Sequence, residues 1–316
     1  MFESLKALDA IRLNFSEGDL LVMNIAIGVI MFGVALDIKV SHFKELLNKP
    51  KSILIGFISQ FILLPAITAL VSLMLWNNIT PGIAMGMILV ATCPGGNVSN
   101  FLSNFMKGNS ALSVALTAIA TIAAIIMTPL NFYLWGKFYV TVGPWGNAEL
   151  LKELYIDPLQ MFKTVVILLG IPILLGMLAN HYLPKITKNL KMPLRIFSIA
   201  FFAGIVVALF ANNYDYFIKY ISWILLIVFI HNGIALSAGY GFARLNKLSV
   251  LNARTLAIET GIQNSGLGLV LLFNPKIFPE GLELGGMAFV VAWWGIWHII
   301  SGFTIASIWR RKTITE

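Results

Sequence analysis

Cysteine is almost absent: Cys93 stands alone among 316 residues. The chain can therefore close no internal disulfide and offers no thiolate cluster, and Cys93 reads as a small packing residue. Charge is scarce as well, at 11% Asp, Glu, Lys and Arg, against roughly 25% in an ordinary soluble domain. No low-complexity segment or flexible linker interrupts the chain. Paired aspartates able to hold a magnesium-bound diphosphate are missing, which argues against prenyl transfer. The start, Met1 to Asp19, is too polar for a signal peptide, because Lys6, Asp9, Arg12, Asn14 and Glu17 break its apolar residues. It reads as a short amphipathic helix in the bilayer interface.

What the chain has is apolar length. It is 58% hydrophobic, with a mean hydropathy of +0.85, so lipid must be the solvent for most of its surface. An all-α polytopic membrane protein follows. A helix needs roughly 20 residues to cross the hydrocarbon, so about eight to ten spans would consume nearly all the chain and leave one membrane domain, 1–316. Apolar windows predict nine spans near 20–38, 52–75, 82–106, 110–135, 159–180, 193–211, 217–241, 254–273 and 284–309. The longest loop is predicted from about Gly136 to Pro158.

The net charge of +8 resembles a nucleic-acid signal only until the basic residues are placed. With the N-terminus outside, the inner loops carry Lys39, Lys44, Lys49, Lys51, Lys107, Lys185, Lys188, Lys191, Arg195, Arg244, Lys247, Arg254, Arg310, Arg311 and Lys312. That is fifteen of the 22 Lys and Arg, as the positive-inside rule requires. The expectation is an integral protein of a bacterial inner membrane with a cytoplasmic C-terminus, a lipid bilayer around it, no nucleic-acid partner and no obligate protein partner.

Two spans are interrupted. Cys93-Pro94-Gly95-Gly96-Asn97-Val98-Ser99-Asn100 breaks the third, and Glu259-Thr260-Gly261-Ile262-Gln263-Asn264-Ser265-Gly266 breaks the eighth. Proline removes a helical hydrogen bond and glycine loosens the turn, so backbone groups are released where no water can reach them unless they line a cavity. Paired breaks in corresponding positions of two halves point to a transporter site. Glu259 is the one carboxylate deep in an apolar stretch, and a charge there costs at least ~2.5–3.5 kcal/mol, so it needs a partner. Ser99, Asn100 and Gln263 add oxygen beside the breaks. Ser113 and Thr117, four residues apart, share a helix face. Hard oxygens with one carboxylate are what a sodium ion needs in exchange for its water. Ser113 or Thr117 alone would read as interhelical glue; the whole set around two breaks reads as a cation site.

Pro94-Gly95-Gly96-Asn97-Val98-Ser99-Asn100, Lys107-Gly108-Asn109-Ser110-Ala111-Leu112-Ser113-Val114-Ala115-Leu116-Thr117 and Glu259-Thr260-Gly261-Ile262-Gln263-Asn264-Ser265-Gly266-Leu267 resemble the motifs of the bile acid:sodium symporter family. Met31-Phe32-Gly33, Gln60-Phe61 with Pro65, His231-Asn232-Gly233, and Trp297-His298 before Ser301-Gly302 match in the same order, so the resemblance covers almost the whole chain. It implies an inverted-repeat fold with two crossing broken helices, a core from spans 2–4 and 7–9, and a panel from spans 1, 5 and 6. It also implies two sodium ions moved with an organic anion by alternating access. Ser99, Asn100, Ser113, Thr117 and Glu259 would hold the first ion. Gln60, Glu259 and Gln263, with the carbonyls of Thr260 and Ile262, would hold the second. Ile299 stands where relatives often have asparagine.

Asn264 and Asn97, beside the crossover, are candidates for hydrogen-bonding the anion, with satisfied interhelical amides as the alternative. His298, among Trp293, Trp294 and Trp297, is a candidate substrate contact or else a packed histidine. The tryptophans themselves read as an interfacial belt or lipid-facing mass. Pro65 and Pro129 are expected to kink their helices. Two rival functions stand beside sodium symport. One is a proton-coupled transporter with Glu259 as carrier. The other is an intramembrane hydrolase with Ser265 and His298, which lacks a third orienting acid.

Overall fold

The computed structural model describes residues 2–10, 17–38, 50–96, 98–143, 158–212, 214–274, 276–278 and 282–311, and no β-strand occurs among them. The chain opens with α1 (Phe2–Asp9) and α2 (Glu17–Ala35). Then come α3 (Pro50–Met74), the broken pair α4 (Pro81–Thr92) and α5 (Val98–Phe105), and α6 (Ser110–Val142). The second half holds α7 (158–182), α8 (Pro184–Asn212) and α9 (Tyr214–Leu245). The broken pair α10 (Val250–Gly261) and α11 (Ser265–Leu272) precedes α12 (Gly285–Arg311). Six unbroken helices, α3, α6, α7, α8, α9 and α12, are long and apolar enough to cross a membrane.

Two helices carry the same local solution to an internal proline. Pro65 and Pro172 each follow a π turn, Ser59–Leu63 in α3 and Val166–Gly170 in α7. Proline cannot donate to the carbonyl four residues back and its ring pushes that carbonyl away. The wider turn absorbs the misfit, since Leu64 N–H donates to Ser59 and Ile171 N–H to Val166, five residues back. Pro129 instead lies within the continuous α6. The π turn in α3 also presents Ser59 and Gln60 to the protein interior, both buried.

Packing sorts the helices into two sets. α2 lies against α7 and α8, whereas α4 packs on α12, α9 on α10, and α3 on both α4 and α6; α7 also packs on α6 and so joins the two sets. Two tight turns have one chemistry: Lys107 and Lys247 both sit at φ 58°. Around them Gly108 N–H returns to Ser103 O at 2.7 Å and Leu248 N–H to Ala243 O at 3.0 Å. Each closes a helix C-terminus in the Schellman manner, with a cation where the helix dipole favours one.

Three sequence expectations change. The helix in the first nineteen residues does not give its apolar side to lipid, because Leu5 and Leu8 are wholly buried in the main core. The loop predicted from Gly136 starts later: α6 runs to Val142, since Lys137 to Val142 contains no breaker and the first stop is Gly143-Pro144. Residues 144–157 of that loop lie outside the described residues. Trp294 belongs to no belt, being fully buried with its ring 4.7 Å from that of His231.

Asp9 ends α1 beside Gly82. Burial lifts its carboxyl from the usual 3.8 to about 6, opposed by the Gly82 N–H and the Thr80 hydroxyl, with a last small push from Glu283. A raised carboxyl pKa means that the folded chain holds the proton more tightly than the unfolded one. Ionised Asp9 therefore costs stability above pH 6, and the cost vanishes as pH falls through 6 toward 3.8. Asp9→Asn is expected to raise the melting temperature of the detergent-solubilised protein at pH 7.5, by at most about 3 kcal/mol in free energy, and to leave it unchanged near pH 4. A fall at pH 7.5 would mean that the neighbouring helix termini outweigh burial.

Candidate functional site

The two breaks meet. Gly95 pairs with Gln263 in an antiparallel bridge, with Gly96 N–H donating to Ile262 O at 2.8 Å and Asn264 N–H to Pro94 O at 2.8 Å. Backbone groups freed by one interrupted helix thus satisfy those freed by the other, which is the only economical arrangement away from water. The carbonyls just before the crossing are served by side chains: Gln60 Nε2 donates to Cys93 O at 2.8 Å and Asn232 Nδ2 to Gly261 O at 2.8 Å. The arrangement has local two-fold character, with α3 serving one break and α9 the other. Gly95 leaves little room for a side chain, because a Cβ there would lie 3.2 Å from Glu259 Oε2 and 3.3 Å from its carbonyl oxygen, close enough to make the neighbour give by a few tenths of an ångström.

Glu259, on the last turn of α10, is 5% exposed, and every hydrogen bond it receives comes from a hydroxyl. Ser113 donates to Oε1 in a short contact and Thr117 to Oε2 at 3.0 Å. The same hydroxyls approach Asn100 Oδ1 at 2.9 and 3.1 Å, and Ser99 Oγ lies 3.4 Å from Thr117 Oγ1. Among the described residues the hydrogen-bond partners of the Glu259 carboxylate are hydroxyls and no basic side chain. Ser99, Ser113 and Thr117 own one hydroxyl proton each, yet five oxygen–oxygen approaches must be served. Lone pairs exceed protons, which is the condition a hard cation relieves. Turning the Asn100 amide would bring two N–H donors to the hydroxyls and complete the network without an ion.

The second predicted set is also brought together. Gln60 Nε2 donates to Gln263 Oε1 at 2.7 Å, and Gln263 Nε2 to Thr260 O at 2.7 Å. The Ile262 carbonyl is the one that accepts from Gly96. The Glu259 carboxylate is turned toward Ser113 and Thr117, with no hydrogen bond to Gln60 or Gln263 among the described residues. Of the anion-binding candidates, Asn264 caps α11 through Oδ1, which accepts from Leu267 N–H at 3.0 Å, so the cap itself uses neither of the amide hydrogens. His298 is buried, and its Nδ1 has no hydrogen-bond partner among the described residues. Asn97 lies outside the described residues.

Ser59 is a further site residue, absent from the sequence reading, whose hydroxyl lies 2.9 Å from that of Thr260. Asn232, which the sequence reading named within a matching motif but gave no role, also belongs to the site; Ser301 Oγ donates to its Oδ1 at 2.5 Å, which orients the amide toward Gly261. His231 pairs with Thr68 at 2.8 Å. The only available signal was polarity inside apolar spans, which marks Asn232 and His231 but not a single serine such as Ser59.

A model of the Sodium Bile acid symporter family matches residues 24–220. The chain belongs to that family. It is 32% identical over 294 residues, 92% of this chain and 83% of the other, to the uncharacterized sodium-dependent transporter YocS of Bacillus subtilis. It is 32% identical to the probable sodium/metabolite cotransporter BASS1, chloroplastic, of Arabidopsis thaliana, across 91% of this chain and 66% of that protein. The ileal sodium/bile acid cotransporter of Homo sapiens is 29% identical across 78% and 67%. The chain is therefore an integral membrane protein of a sodium-dependent transporter family, and no enzyme.

Gly95→Ala tests the seat of the crossover. The new methyl presses on the Glu259 carboxylate, and ²²Na+ binding to the purified protein is expected to weaken about tenfold, or ~1.4 kcal/mol, with an unchanged gel-filtration profile. Unaltered sodium affinity would show that the carboxylate moves aside without penalty.

Proposed function

We propose that the chain is a sodium-coupled symporter of an organic anion, working by alternating access between a core of α3–α6 with α9–α12 and a panel of α2, α7 and α8. The observation that carries this reading is the excess of oxygen lone pairs around Glu259 at the crossover. Ser99, Asn100, Ser113, Thr117 and Glu259 take one sodium ion. Gln60, Gln263 and the carbonyls of Thr260 and Ile262, with Glu259 between the sets, take a second. The anion binds at the start of α11, where the helix dipole is positive and the Asn264 amide has hydrogens to give; Asn97 and His298 are the further candidates for contact with it. Bile-acid-like molecules, steroids and small carboxylates share the required chemistry of one anionic group on an organic body. The N-terminus faces outward and the C-terminus the cytoplasm of a bacterial inner membrane, a reading supported by the distribution of Lys and Arg.

Sodium entering along its gradient supplies ~2.3 kcal/mol per charge per 100 mV, and two ions with one monoanion carry net positive charge inward. In proteoliposomes, uptake of taurocholate and of a panel of small carboxylates is expected to require sodium. Uptake unchanged in choline or potassium overturns the reading, and uptake driven by a pH gradient in sodium-free buffer replaces it with proton coupling.

Removing the carboxylate isolates its role. Glu259→Ala is expected to abolish coupled uptake, by more than about 100-fold, or ~2.7 kcal/mol, in a protein that remains inserted and monodisperse. Retained sodium dependence in that variant would remove Glu259 from both ion sites.

A further inference from the structure

Asp9 does for α4 what the residue at the start of α4 does not. Thr80, the N-cap position, makes no side-chain cap, and Pro81 has no N–H to offer. The first available donor, Gly82 N–H, goes instead to Asp9 Oδ2 at 2.9 Å. Asp9 reaches this point because two neighbours are glycines. A Cβ on Gly82 would lie 2.6 Å from the Asp9 carboxyl carbon, and one on Gly286 would lie 3.1 Å from it. Gly286 is the second residue of α12, so one carboxyl group stands at the starts of two helices, where partial positive charge accumulates; Oδ2 accepts from the start of α4, while Oδ1, packed against Gly286, has no hydrogen-bond partner among the described residues.

The placement has a topological consequence. α1 packs on α4, α9 and α12, all in the set that carries the crossover, and buries Leu5 and Leu8 there. The next helix, α2, packs on α7 and α8. The chain therefore changes sets between Asp9 and Glu17. We propose that Asp9 is a positioning residue that fastens α1 to the starts of α4 and α12, so that the N-terminal helix travels with the crossover-bearing core throughout the transport cycle, although it is joined directly to the panel. The part of this that concerns transport rests on the alternating-access reading above; the attachment itself does not.

A disulfide tests the attachment. Asp9→Cys with Gly286→Cys places two Cβ atoms near the ~3.5–4.5 Å that a disulfide spans, and native Cys93 is fully buried and will not compete. Cross-linking, read on a gel, needs no substrate and is expected to reach the same extent in sodium and in choline media. Sodium-driven taurocholate uptake by the oxidised protein is expected to stay within twofold of wild type. Asp9→Ala should lower the maximal rate severalfold with half-saturating sodium and taurocholate within twofold of wild type, and Asp9→Asn, which still accepts from Gly82 N–H, should restore it. A cross-link that forms in only one medium, or that stops uptake until reduced, overturns the proposal. So does an Asp9→Ala variant with an unaltered maximal rate. If the wild type carries no taurocholate, cross-linking in the two media still decides whether α1 stays attached, and only the symport reading is weakened.

Discussion

One imbalance organises the molecule: a buried carboxylate and an amide oxygen face three hydroxyls that have too few protons for them. Such a cluster is unstable in a low-dielectric interior unless a positive charge joins it or the Asn100 amide turns. The surrounding architecture keeps the oxygens from escaping. Ser113 and Thr117 are held on α6, whose first turn is fixed by Asn109, its side chain accepting from Leu112 N–H at 3.0 Å and donating to Asn252 Oδ1 at 2.8 Å. Asn109 N–H also donates to Thr255 Oγ1 at 2.9 Å. The helix bearing the hydroxyls and the helix bearing Glu259 are therefore tied together near their starts, and the carboxylate cannot retreat without disturbing both.

The crossover makes the same point with backbone. An interrupted helix in lipid is costly because its end groups have no partner, and here each break supplies the partners of the other. Gln60 and Asn232 complete the pairing from the two flanking helices. Gln60 is available because the π turn before Pro65 rotates it inward, so a proline that would only weaken an ordinary helix helps to position a site residue. Proposed sodium ligand and crossover support coincide in Gln60, which donates to both Cys93 O and Gln263 Oε1. A change at the proposed second ion set would therefore reach the peptide crossing.

Much of this was legible in the sequence, for a physical reason: in an apolar span, a carboxylate, a proline or a Gly-Gly pair is expensive and stands out. Glu259, the two breaks, and the pair Ser113 and Thr117 are all of that kind, and the structure brings Ser99, Asn100, Ser113, Thr117 and Glu259 into one cluster. Ser59 was not legible, since a lone serine in a membrane helix is cheap and its partner Thr260 lies 201 residues away. Neither was the docking of α1. Two leucines and an aspartate in a polar segment suit a bilayer surface as well as a protein groove, and the glycines that receive Asp9 lie far along the chain, at 82 and 286. The end of α6 was misjudged because Gly136 suggested a stop; in the structure its missing side chain admits Met85, whose methyl carbon would stand 2.9 Å from a Cβ there.

Charge arithmetic connects the ion sites to the proposed anion site. Glu259 is the one acid among the described residues of the crossover, so the two sodium ions proposed above would leave the region with a single positive charge. A monoanion bound about 7 Å from that charge would gain about 2 kcal/mol at an effective dielectric near 20. The helix terminus and the Asn264 amide add to it and are present whether or not sodium is bound. Before the ions arrive the balance would reverse, since an ionised Glu259 carboxylate at the same distance would repel an anion by a similar amount. The difference between the two states, about 4 kcal/mol or nearly a thousandfold in affinity, is large enough to impose an order of binding without any movement of the helices. Coupling would then be a property of the crossover's charge, and in the proposed cycle the relative motion of the two helix sets would only carry the loaded site from one side of the bilayer to the other.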